Sequence, residues 1–107
     1  MIDHIGLKVA DLARSKAFYK KVLAEIGYDV LHEGEGYCGF GPVDGKPDFW
    51  LSVGPVTGGA HIAFHAAARE TVQAFYAKGL EAGGKDNGPP GIREQYHPKY
   101  YGAFVLD

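Results

Sequence analysis

The sequence predicts an α+β fold in which one strand–helix–three-strand unit is used twice. Three observations lead there. Residues 59–66 (Gly-Ala-His-Ile-Ala-Phe-His-Ala) alternate as a strand does, with Ile62 and Phe64 on one side and His61, Ala63 and His65 on the other. The His-Ile pair inside that stretch also stands 57 positions earlier, at His4-Ile5. Without a gap, the same offset pairs Ala10 with Ala67, Ala17-Phe18-Tyr19 with Ala74-Phe75-Tyr76, Lys21 with Lys78, Leu23 with Leu80, Gly27 with Gly84 and Asp29 with Asp86. An ordered set of identities across a strand and the helix after it marks a duplicated supersecondary unit. The 107 residues suit one compact domain, 1–107, made of module one (1–57) and module two (58–107). So small a unit buries little surface alone, so the copies should share a core or pair with another chain.

In chain order, residues 2–9 read as a strand with Ile5, Leu7 and Val9 on its apolar face and His4, Gly6 and Lys8 on the other. Asp11 or Ser15 can cap the next helix, residues 12–26, whose apolar positions Leu12, Ala13, Ala17, Phe18, Val22 and Ile26 recur at helical spacing. Gly27, free to take positive φ, stops it. Residues 28–32 and 37–41 are predicted strands about a Glu-Gly-Glu-Gly turn, and Asp44-Gly45 marks the next hairpin. In the strand 48–53, Phe49, Leu51 and Val53 form the apolar face, and Asp48, Trp50 and Ser52 the other. Residues 54–59 link the copies.

The second copy opens on the His61 strand. Its helix, 68–82, is expected to bury Val72, Phe75, Tyr76 and Leu80, and Gly83-Gly84 ends it. Residues 87–91, rich in Gly and Pro, predict a loop where the second strand of the unit should run. Residues 92–95 are a candidate short strand, and 101–106 a strand matching 37–41. By the repeat, a turn and one further strand are expected beyond Asp107, leaving seven strands at most of an eight-stranded plan.

Apolar residues make up 46% and charged ones 22%, and the net charge of −2 comes with dispersed basic residues. That balance argues against nucleic-acid or membrane partners. No apolar run approaches the ~20 residues of a spanning helix, and no signal-peptide pattern opens the chain. With Cys38 as the only cysteine, no internal disulfide forms, so a cytoplasmic location is expected. Open sheet edges on small units favour a homodimer.

Four segments carry a resemblance: residues 3–9 (Asp-His-Ile-Gly-Leu-Lys-Val), 15–19 (Ser-Lys-Ala-Phe-Tyr), 60–64 (Ala-His-Ile-Ala-Phe) and 101–107 (Tyr-Gly-Ala-Phe-Val-Leu-Asp). In this order, and duplicated, they resemble the vicinal oxygen chelate superfamily, which includes glyoxalase I, extradiol dioxygenases and bleomycin-resistance proteins. The resemblance implies two βαβββ modules forming a curved mixed sheet around a pocket. It also implies up to four metal ligands, one each from the first and fourth strands of both modules. Carried across, the first-strand positions are His4 and His61. The module-one fourth-strand position falls at Trp50, which cannot ligate, with Asp48 two residues away on the same face. The remaining position would fall in the further strand.

The implied cofactor is a divalent metal (Zn, Ni, Mn or Fe), held by His4 and His61, since imidazole suits such ions. The implied activity is a metal-dependent lyase or isomerase of the lactoylglutathione-lyase kind, or a dioxygenase relative, acting on a small oxygen-rich substrate. No catalytic base is assigned. The alternative is a metal-free small-molecule or drug-binding and sequestration protein of the same fold, favoured by Trp50 in place of a carboxylate. Candidate pocket residues are Trp50, Asp48, Tyr37, Phe40, His65 and Tyr101. Arg93 and His97, with Tyr96 and Tyr100, crowd an irregular loop suited to gripping an anionic group.

Overall fold

A computed structural model describes residues 1–107. Its first half follows the expected strand–helix–three-strand order: β1 (Ile5–Val9), α1 (Leu12–Leu23) with a 3-10 turn over Ala24–Ile26, β2 (Tyr28–Gly34), β3 (Tyr37–Pro42) and β4 (Phe49–Val53). The strands form one mixed sheet in the order β1-β4-β3-β2, with β1 and β4 parallel and the other pairs antiparallel. A parallel neighbour for β1 is what the helical crossover permits, since a hairpin can join only antiparallel strands.

Helix α1 begins where the sequence provides a cap. The Asp11 carboxylate accepts the Arg14 N–H at 3.1 Å, and Lys20 and Lys21 sit in the last turn, where the helix dipole favours cations. Gly27 closes the 3-10 turn at φ 82°, a conformation that only glycine adopts without strain. The helix buries Phe18, Val22 and Leu23, and Leu23 joins the core on the sheet. There Val9, Leu23, Cys38, Phe40, Phe49 and Leu51 form the core, each at most 7% exposed.

Helix α2 (Arg69–Glu81) packs on α1 as a second layer, and Lys21 faces Glu81 across them at 3.8 Å. It is shallower than the sequence suggested. Val72, Phe75 and Tyr76 are half-buried, and Leu80 is 39% exposed, so the expectation of a buried Leu80 fails. Gly79 takes the buried position instead, because the helix approaches Val105 so closely that a Cβ there would meet its side chain at 3.1 Å.

The second half departs from the first. The predicted strand over 59–66 joins no ladder. Its alternation survives: Ile62 and Phe64 pack on the core while His61, Ala63 and His65 are exposed. The backbone of residues 60–66, however, makes no backbone hydrogen bond. In the first half β1 is held only by β4, and no other segment of the 107 residues offers 60–66 such a partner. The single strand expected over 101–106 is split into β7 (Tyr101–Gly102), paired with β6 (Gly91–Ile92), and β8 (Val105–Leu106), paired with β5 (Lys85–Asp86). Two two-residue strands thus stand where one was expected over 101–106, and of the candidate short strand over 92–95 only Ile92 is paired, in β6. The Pro89-Pro90 break prevents a continuous second strand and divides the pairing between its flanks.

Two tyrosines tie this architecture to pH. Burial first, then the hydrogen bond its hydroxyl donates to Asp48 at 2.8 Å, raises Tyr28 from 10.0 to about 12. Tyr19 is driven upward the same way, by burial and by its bond to Asp107. A raised phenol contributes stability that is complete below its ordinary pKa and is lost as pH climbs through the folded value. The melting temperature should therefore fall between pH 10.0 and about 12, and Tyr28→Phe should flatten that fall. An alkaline series of thermal melts checks it; an identical slope in the variant would contradict it.

Candidate functional site

The face of the sheet turned away from α1 is set by register. Gly6 and Gly39 flank Trp50 on β1 and β3, while Lys8 and Tyr37 flank Ser52 one rung further along. These side chains alternate with the core residues Leu7, Phe49, Leu51, Cys38 and Phe40, so strand geometry alone puts them on the far side. On β2 the register shifts between Val30 and His32, a bulge that brings His32 opposite Gly39. The extra residue turns His32 from the core side, where Val30 points, to the side of Trp50.

Three rings meet there. His32 lies 5.9 Å from both Tyr37 and Trp50, and Tyr37 lies 6.3 Å from Trp50, all within aromatic contact range. Glycines make the floor. A Cβ on Gly39 would come within 2.8 Å of the indole, and one on Gly34 within 2.5 Å of the Tyr37 ring, so both rings lie flat on bare backbone. His32 and Tyr37 are exposed and Trp50 is half-buried. A platform of this kind can hold a flat apolar molecule by stacking.

The other expected site residues fall elsewhere. Phe40, expected to line the pocket, is fully buried: it stands opposite Phe49 on the core side, which corrects that expectation. Asp48 accepts the Tyr28 hydroxyl. His61 and Arg93 meet around Phe104, whose ring lies 6.0 Å from the imidazole and 5.5 Å from the guanidinium. Arg93 also donates to the Pro89 carbonyl at 2.5 Å. Tyr101 accepts from Gln73 at 3.0 Å beneath Arg69, and His97 is exposed beside Tyr100. His65 is exposed.

His4 lies just outside β1, exposed, with Nδ1 2.8 Å from Asp3. Asp3 is held at about 2, mainly by its hydrogen bond from Lys46 and next by His4. Metal centres that do chemistry use about three protein ligands. Nowhere do three or more His, Cys, Asp or Glu side chains come together in a way that could hold an ion. Trp50, whose side chain cannot ligate, stands opposite Gly6 in the register and not opposite His4. The residues of this chain, as placed, do not fit a resident metal.

A family model described as Glyoxalase/Bleomycin resistance protein/Dioxygenase superfamily matches residues 1–103. The chain belongs to that superfamily. Among solved structures, this glyoxalase-superfamily chain is similar to a glyoxalase/bleomycin resistance protein from Albidiferax ferrireducens T118. Identity is 28% and the TM-score 0.84, over 98% of this chain and 89% of that one. It also shares its fold with the hypothetical protein SA1046 from S. aureus, at 18% identity and TM-score 0.62, over 100% of this chain and 95% of that one. Comparison with curated proteins gives no match. The likenesses support the curved mixed α+β architecture expected from the sequence. No helix of this superfamily member is long and apolar enough to cross a membrane.

Sequence reasoning missed His32 and the glycine floor. The signal available was slight: Val30 and Leu31 are adjacent apolar residues that break the alternation begun at Tyr28-Asp29-Val30, which is where a bulge inserts a residue.

Proposed function

We propose that this glyoxalase-superfamily chain binds a small aromatic molecule on the Trp50–Tyr37–His32 platform. One observation carries this reading: two aromatic rings lie flat over glycines on an accessible sheet face, beside a third ring that a bulge brings to them. A sequestration role follows more readily than catalysis, because neither His4 nor His61 belongs to a group of three or more side chains able to hold an ion. Homodimerisation and a cytoplasmic setting complete the reading, resting on sequence alone.

Trp50 is the only tryptophan, so its emission reports on the platform itself. Quinoline, a flat neutral two-ring probe, should quench it saturably, and metal analysis of the purified protein should show no stoichiometric ion. A full equivalent of Zn, Ni, Mn or Fe, lost in the His4→Ala, His61→Ala double variant and accompanied by no quenching, would overturn the binder in favour of the metal-dependent lyase class.

A further inference from the structure

The indole of Trp50 leans to one side only. On the β3 side it covers Gly39, whereas on the β1 side a Cβ added to Gly6 would meet nothing closer than the backbone oxygen and Cβ of Trp50, at 3.9 Å. A strip of bare strand therefore lies open beside the ring. At the next rung stands Lys8, opposite Ser52, with its ammonium donating to Ser52 Oγ at 2.9 Å. Its stem is laid over Gly54, where a Cβ would come within 2.8 Å of Lys8 Cδ. Lys16, Lys21, Lys46 and Lys78 all face carboxylates, but Lys8 has no carboxylate within ion-pair distance. Arg93, the cation expected from sequence to grip an anion, is already engaged by Phe104 and the Pro89 carbonyl. The face thus joins an aromatic wall and an open glycine floor to one oriented, unneutralised charge.

We propose that the ligand is a planar aromatic carboxylate seated at the β1 edge of the platform, its ring over Gly6 against Trp50 and its carboxylate on Lys8, with Lys8 determining specificity. Adjacent rungs lie ~6.6 Å apart along a strand, a distance that a fused two-ring arene and its attached carboxylate span. Ser52 keeps a role in this pose, because a hydroxyl can accept from the ammonium while donating to the ligand. The inference rests on the reading of the platform as a ligand surface.

The test uses a matched pair, 2-naphthoate and 2-naphthamide, which share shape and differ in charge, followed by calorimetry on the full chain. The carboxylate should bind about tenfold tighter, as one charge-assisted hydrogen bond allows. That preference should vanish in Lys8→Gln, return in Lys8→Arg, and weaken with added salt, which screens an exposed pair. Lys8 is exposed, so the variants should keep the fold, which circular dichroism checks. Equal binding of both probes, or a preference that survives Lys8→Gln, overturns the role of Lys8 and leaves the platform standing. Two further outcomes overturn platform and inference together. One is that neither probe binds. The other is that Trp50 emission follows protein concentration and not ligand, as it would if a second copy covered the face.

Discussion

Phe49→Ala is expected to bring the chain to the edge of unfolding. Phe49 is 1% exposed, and its ring touches Tyr19 at 5.0 Å, Phe64 at 5.2 Å and Phe40 at 6.1 Å. It is where the sheet, α1 and the extended segment 60–66 meet. Removing a buried phenylalanine costs about 3–5 kcal/mol, and domains of this size have only roughly 5–15 to lose. The effect should exceed a simple cavity, because segment 60–66 makes no backbone hydrogen bonds and is held by side-chain packing, of which the Phe64–Phe49 contact is the shortest aromatic pair. Urea unfolding should show a midpoint greatly lowered or no folded baseline, while Val43→Ala at an exposed turn position should change it by about 0.5 kcal/mol or less. A small change at Phe49 would mean that the two halves do not share this core.

Trp50→Ala is the second large effect, and it should fall on binding rather than on folding. The indole is half-buried and lies on a glycine, so its removal uncovers a floor without opening the core. Loss of a central aromatic anchor typically costs about 2 kcal/mol or more, which is roughly a thirtyfold weakening. Calorimetry with 2-naphthoate measures it, since the variant lacks its fluorophore. Gly39→Ala should act through the same ring: the new methyl would stand 2.8 Å from the indole and push it over the Gly6 strip. Binding should weaken there too, with Trp50 still present. Unchanged affinity in both variants would place the ligand elsewhere.

How far the sequence reached follows from what each element needs. In the first half, alternation in β4, helical spacing in α1 and the stop at Gly27 are local signals, and the structure keeps them all. In the second half the signals are equally clear, but a strand also requires a neighbour. Residues 60–66 keep their alternating burial without a ladder, because pairing is a property of two segments and cannot be read from one. Phe40 was legible and was misplaced: it stands an odd number of residues from Tyr37, so the two cannot share a face of an unbulged strand. His32 was barely legible, through Val30-Leu31 alone, since one inserted residue reverses the face of everything after it. The aromatic identity of Trp50 was visible in sequence, whereas the bare backbone on either side of it depends on register.

The most direct measurement is a ligand titration followed by amide and indole NMR shifts. If the platform is the ligand surface, 2-naphthoate should move the Trp50 indole N–H and the amides of Gly6, Lys8, Gly39 and His32 together, saturating with one affinity. Shifts that leave these unmoved and gather instead on His61, Arg93 and Phe104 would put the ligand on the other group of side chains and contradict the account.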